Sequence, residues 1–291
     1  MHSLNDKKNN ISELYQNLNK IITQPKYPFI KDTFDDKWIK NYTKKKTDDG
    51  LPEILYAPHF IELGLLPKEY FERFEKGLKF LCENSQGENK KDFLGNLRSG
   101  SQAAVFEVML AWTLVEEFGA NNIKPYPRIN STKNTLDFAI INDQIKVNIE
   151  ATTLFDDKNT SDYKQYCRQR SIQMYPEMSN NQKDINRLYK KCHDKITQRK
   201  TAEPLVLCIN QYAAWPDPAS GAEAIGKLIA HAIRDQKTTL IGIAYFYHDN
   251  LILFSTVEKN IRALIDDPAI VNKICSSMRR ISKKIMTEKI K

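Results

Sequence analysis

The stretch TLDFAIINDQIKVNIEATTL, residues 135–154, decides how this chain is read. Two short β-rich runs, 135–141 and 145–154, flank Asn142-Asp143-Gln144, a hairpin-like turn sequence. With Asn142-Asp143 as a two-residue turn, Ile141 pairs with Gln144 and Asp137 with Asn148. Opposed residues share a face of the sheet, and so do residues two apart on one strand. Asp137, Asn148, Glu150 and Thr152 therefore fall on one face, and an even-numbered shift of register keeps them there. Two carboxylates on one face repel each other unless a cation lies between them, and hard oxygen ligands suit Mg²⁺ or Mn²⁺.

Upstream, residues 101–118 form a helix that ends at Gly119, with Ser99 or Ser101 available as N-cap. On a helical wheel Ala103, Leu110, Ala111, Leu114 and Phe118 share a face, and Glu107 stands in the middle of it. A carboxylate among Leu and Phe costs several kcal/mol unless a cation, a metal or hydrogen bonds compensate. Downstream, a helix is expected over 183–200, a buried strand over 204–210, a helix over 221–233, and a second hairpin from 240–247 and 251–255. This order implies an α/β fold with a mixed central sheet flanked by helices.

The strings GSQAAVFEVMLAW (100–112), TLDF (135–138) and VNIEAT (147–152) resemble the PD-(D/E)xK nuclease superfamily, the restriction-endonuclease-like fold. That family's core is a helix bearing a Glu, a hairpin bearing an Asp and a (D/E)-x-K triplet, and a later helix and strand. The resemblance spans roughly residues 98–256. It implies Asp137 and Glu150 as ligands of Mg²⁺ or Mn²⁺, with the Ala151 carbonyl nearby, and Glu107 as the helix carboxylate that orients a water or binds a second ion. Two positions depart from the pattern: Leu136 stands where a Pro usually precedes the Asp, and Thr152 stands where the family has its catalytic Lys. That Lys positions the attacking water and offsets phosphate charge, which Thr152 cannot do.

A displaced cation is therefore expected. On the wheel of 183–200, Ile185, Leu188, Cys192 and Ile196 form the buried stripe, and Lys191, Lys195 and Arg199 lie along one flank. Lys191 or Lys195 would do the missing lysine's work. Lys146 shares the Glu150 face but is four positions away, about 13 Å at 3.3 Å per residue, and suits a phosphate contact. Residues 158–200 carry eleven Lys/Arg against four Asp/Glu, and 257–291 nine against four. These basic stretches, with Arg199, Lys200, Arg279 and Arg280, are the expected contacts to a nucleic-acid backbone.

The remaining sequence sets bounds. The 291 residues carry 44 Lys/Arg and 36 Asp/Glu, a net charge of +8, which permits a nucleic-acid partner. Apolar runs fall short of a membrane span, and Met1–Lys8 lacks a secretory leader, so a cytoplasmic protein is expected. Five cysteines without paired spacing suggest reduced thiols rather than disulfides or zinc. Scattered histidines suggest no triad, no phosphate-binding glycine loop is present, and Trp215 reads as a loop residue. Residues 1–97 read as a helical accessory lobe with polar loops at 44–50 and 83–91, residues 98–256 as the core, and 257–291 as a basic helical tail. The expected function is metal-dependent hydrolysis of phosphodiester bonds in DNA, or in RNA, with a homodimer suited to cutting both strands of a duplex. The alternative is a catalytically inactive module of the same fold that binds nucleic acid or a protein partner.

Overall fold

A computed structural model describes residues 4–44, 53–64, 66–129, 135–141, 146–154, 181–198, 202–211, 218–234, 239–247 and 250–281. The turn at 142–145, the basic run at 158–180, Arg199, Lys200, Trp215 and residues 282–291 lie outside them. Contacts divide the described residues into two compact units, one up to Ala120 and the other from Asn121 to Ile281. This division falls at 120 and not at 97. The helix carrying Glu107 belongs with the N-terminal helices, and the basic C-terminal helices belong with the sheet.

The first unit holds α1 (Leu4–Ile22), α2 (Pro28–Thr33), α3 (Asp36–Lys44), α4 (Glu53–Glu62), α5 (Tyr70–Asn84), α6 (Gly87–Arg98) and α7 (Gln102–Phe118). Helix α6 corrects the loop expected at 83–91. Its charged residues Glu88, Lys90 and Lys91 hide the apolar spacing, but Phe93 and Leu97, four apart, are both buried. Helix α7 is capped as its sequence suggests: the Ala104 N–H donates to the Ser101 hydroxyl, and Gly119 ends it at φ 81°. Helices α5 and α7 approach closely at Gly77, where a Cβ would lie 2.1 Å from the Val108 carbonyl oxygen.

The second unit is a six-stranded mixed sheet flanked by helices, in strand order β1-β2-β3-β4-β5-β6. The strands are β1 (Ile123–Pro125), β2 (Phe138–Ile141), β3 (Lys146–Leu154), β4 (Leu205–Gln211), β5 (Leu240–Tyr247) and β6 (Asn250–Thr256). β1, β2 and β3 form an antiparallel meander, β4 and β5 continue parallel to β3, and β6 closes antiparallel. β4 is buried along its whole length, as an unbroken apolar run in the parallel centre of a sheet should be. The helices are α8 (Asn181–Gln198), α9 (Pro218–Arg234), α10 (Glu258–Leu264) and α11 (Ala269–Ile281).

Helices α8 and α9 cover one sheet face. Leu188 and Cys192 from α8 and Ala224, Ile225, Leu228 and Ile229 from α9 pack on Leu205, Leu207, Ile209, Ile243 and Tyr245. Helix α11 packs against β6 and brings Met278 Sδ to 3.8 Å from Cys208 Sγ, so this segment is part of the fold and not an appended tail. Its buried Ile270, Val271, Ile274, Met278 and Ile281 form the stripe, and Arg279 and Arg280 are exposed. Among the described residues no helix is long and apolar enough to cross a membrane.

Because the atom facing Gly77 is backbone and cannot swing aside, Gly77→Ala should destabilise the protein by about 1–3 kcal/mol, as overpacking does. A urea titration that finds the variant as stable as wild type would contradict this close approach.

Candidate active site

The β2–β3 register is Phe138↔Ile149, Ala139↔Asn148, Ile140↔Val147 and Ile141↔Lys146. It corrects the tight-turn register by two residues: Asn148 pairs with Ala139, not Asp137, and the pairing ends at Phe138↔Ile149. Both registers oppose apolar to apolar, so hydrophobic alternation cannot separate them; only the connection, four residues instead of two, does. The shift is even, so Asp137, Asn148, Glu150 and Thr152 still share a face.

β2 pairs with β3 only as far as Ile149, leaving the β3 main chain beyond it to find other partners on that edge. Side chains provide them. The Ala151 N–H donates to Asp137 Oδ2 at 2.6 Å, and Lys191 Nζ donates to the Thr153 carbonyl. Asp137 is held on its other side too, since its carbonyl accepts from the Tyr126 N–H at 2.9 Å. Tyr126 has φ 49°, a left-handed conformation uncommon outside glycine, at the turn of chain that delivers β1 to Asp137.

Glu150 is 1% exposed, and Lys195 Nζ on α8 meets its Oε1 at 2.6 Å. Helix α8 is amphipathic, with Leu188 and Cys192 in the core, and the turn of helix after Cys192 carries Lys195 over β3. A carboxylate buried to this degree needs a partner, and an ion pair this short is a charge-assisted hydrogen bond. Lys191, one turn earlier, loses basicity through burial and, next, through the charge of Lys195. Burial also pushes the Cys192 thiol up to about 12, so it is an inert core group. Thr152 is buried on the Glu150 face and paired in register with Ile209 of β4.

The structure thus brings Asp137, Glu150, Lys191 and Lys195 to one end of the β2–β3 pair. Lys146 is engaged elsewhere. Its Nζ meets Glu203 Oε1 at 2.7 Å, and Glu203 Oε2 accepts from Asn148 Nδ2 at 2.9 Å. Sequence reasoning missed Glu203, because its place follows from the parallel pairing Asn148↔Leu205, a contact between distant segments. Glu107 belongs to the helical unit and is partly exposed on α7, less buried than its wheel position suggests. Arg98, in the same unit, donates to the carbonyls of Thr33 at 3.1 Å and Asp32 at 3.5 Å.

Mg²⁺ takes one or two carboxylates and fills its other positions with water and phosphate oxygen. Asp137 and Glu150, on one face of the β2–β3 pair, are of the number and donor type that this demand sets. Among the described residues no group of three His, Cys, Asp or Glu side chains is placed to hold a metal. No family model, curated protein or solved structure matches the chain.

Removing one partner of a buried pair leaves an uncompensated charge. Lys195→Met should cost about 3 kcal/mol, and most of that should return in Lys195→Met/Glu150→Gln; urea titrations of the two variants check both. Lys191 gives a signed pH dependence. Its folded pKa lies below 10.5, so between the two values the unfolded chain binds more protons and stability rises with pH. Denaturation at pH 8 to 10.5 should show a rise in wild type that Lys191→Met lacks.

Proposed function

We propose that this chain is a metal-dependent nuclease with a PD-(D/E)xK-like core in which Lys195 supplies, from a helix, the cation that the family carries on the strand. The observation that carries the reading is the 2.6 Å contact of Lys195 Nζ with Glu150 Oε1, two residues from Thr152. The element order supports it: helix α7, the meander β1–β3 with Asp137 and Glu150, helix α8, then β4 parallel to β3. This is the order of the family's core, extended here by α9, β5 and β6.

In this reading Asp137 and Glu150 hold Mg²⁺ or Mn²⁺. When bound, the ion supplies Lewis acidity that lowers the pKa of water and offsets charge on the scissile phosphate. Asp137 is oriented for that task by the Ala151 N–H, which fixes one carboxylate oxygen against the main chain. Lys195 holds Glu150 in place, and its ammonium stands within reach of whatever Glu150 binds. Lys191 adds a second cation one helical turn away, available to the phosphate. Backbone affinity comes from the basic surface, Arg279 and Arg280 included, and falls with salt.

The burial of Glu150 favours the second reading, a nuclease-fold module without turnover. A carboxylate 1% exposed and already paired with an ammonium is a sound structural ion pair, and such a module would bind nucleic acid or a protein partner without cutting it.

Cleavage of labelled DNA and RNA, single- and double-stranded, with Mg²⁺ or Mn²⁺ separates the two. Under the nuclease reading Glu150→Ala abolishes turnover, and Lys195→Met lowers it by about 10²–10³, the size of losing one positioned donor. Thr152→Lys placed in the Lys195→Met background should recover part of the loss, because it returns a cation to the same sheet face. Metal-independent silence of the wild type on every substrate, with salt-sensitive binding retained, would instead establish the inactive module.

A further inference from the structure

Helix α8 turns Lys191 and Lys195 toward β3, and it turns Tyr189 and His193 toward α9. Between α8 and α9 lies an open cavity of about 490 Å³, lined by Tyr189 from α8 and Lys227, Ala230, His231 and Arg234 from α9. Its volume lies within the range of ligand sites. Lys227, His231 and Arg234 are spaced four and three residues apart, so they form one stripe on α9. None of the described lining residues is acidic. Lys227 shares an exposed pair with Glu223 at 2.8 Å, four residues back on the same helix, and such a pair holds a lysine weakly.

Two of the lining residues carry rings, Tyr189 of α8 and His231 of α9, and His193 of α8 packs against both. Tyr189 and His193 are stacked at 15° with centroids 6.0 Å apart, and His231 lies 5.5 Å from His193 and 6.5 Å from Tyr189. The Tyr189 hydroxyl is 2.7 Å from His231 Nδ1. Where the hydroxyl donates, the ring proton is on Nε2, which remains a donor for an anion. Nearby, Asp194 approaches His193 Nδ1 only to 4.0 Å.

We infer that this cavity is a binding site for a single nucleic-acid strand, with a phosphate held by Lys227 and Arg234 and a base against the Tyr189 and His231 rings, which His193 supports from behind. Arginine and lysine together are the usual phosphate partners, and aromatic faces stack bases regardless of sequence. An enclosed pocket would suit a free anion; this one is open, as a polymer requires, and its rings have no use for inorganic phosphate. The site deepens the nuclease reading and rests on it only for the class of ligand.

The test is fluorescence anisotropy of labelled single-stranded DNA and RNA in EDTA over a range of salt, with Lys227→Gln/Arg234→Gln against wild type. A second pair on the same unit, Lys124→Gln/Arg128→Gln, both exposed and outside the basic stretches, removes the same charge away from the cavity. The cavity pair should lose tenfold or more in affinity, and its salt slope should become shallower by about 1.4, two contacts at 0.7 each on a single strand. The second pair should change neither. Equal losses from both pairs, an unchanged cavity pair, a wild type that binds no strand, or loss of an acidic peptide in place of the strand would each overturn the assignment. Binding in EDTA is independent of cleavage. A wild type that binds through the cavity but cuts nothing leaves this inference standing without the nuclease. One that cuts while the cavity pair binds as before leaves the nuclease standing without this inference.

Discussion

A negative charge on the covered face of β3 constrains everything around it. Glu150 projects toward the helices that close that face, and at 1% exposure water cannot stabilise its carboxylate. The charge has to be matched from within the fold, and α8 does this with Lys195. The helix could be positioned by Leu188 and Cys192 alone, since these pack into the core. Its rotation about its own axis, however, is fixed by the need to bring Lys191 and Lys195 onto β3 and Tyr189 onto α9. One helix therefore joins two chemically distinct surfaces, and a change in its rotation would disturb both.

The second constraint is geometric. β3 is nine residues long and β2 only four, so among the described residues no strand lies beside the edge of β3 past Ile149. Backbone groups in such a place demand partners. Asp137 and Lys191 satisfy Ala151 and Thr153, so the groups with chemical potential are also the groups that finish the sheet. Structural and functional readings of these residues are for this reason not exclusive. A side chain that completes a ladder is also held still, which is what a ligand or a positioned cation requires.

Much of this was legible in the chain. The face shared by Asp137, Glu150 and Thr152 follows from alternation alone and survives the two-residue correction of register. The amphipathic spacing of α8 gave Lys191 and Lys195 a common flank, and both reach β3. β4, the α9 helix and the β5–β6 hairpin follow from their apolar runs. What stayed hidden depends on contacts between distant segments or on masked periodicity. β1 is three residues long and has no pattern of its own; α6 is disguised by a run of charges; Glu203 meets Lys146 only after β4 has paired with β3. The ring cluster around His231 joins residues 42 apart, so the scattered histidines of the sequence gave no sign of it.

The Lys195–Glu150 contact spans 45 residues of chain. A hairpin of β2 and β3 can form locally, but its face is not ready to be sealed until the helix that carries the matching charge has arrived. Closing such a long loop is entropically costly and slow relative to local structure. The ion pair thus acts as a checkpoint on assembly: a chain in which α8 docks out of register strands a charge in the interior and is expelled from the native basin. A fold that borrows its cation from a helix ties correct docking to the same residues that would do its chemistry.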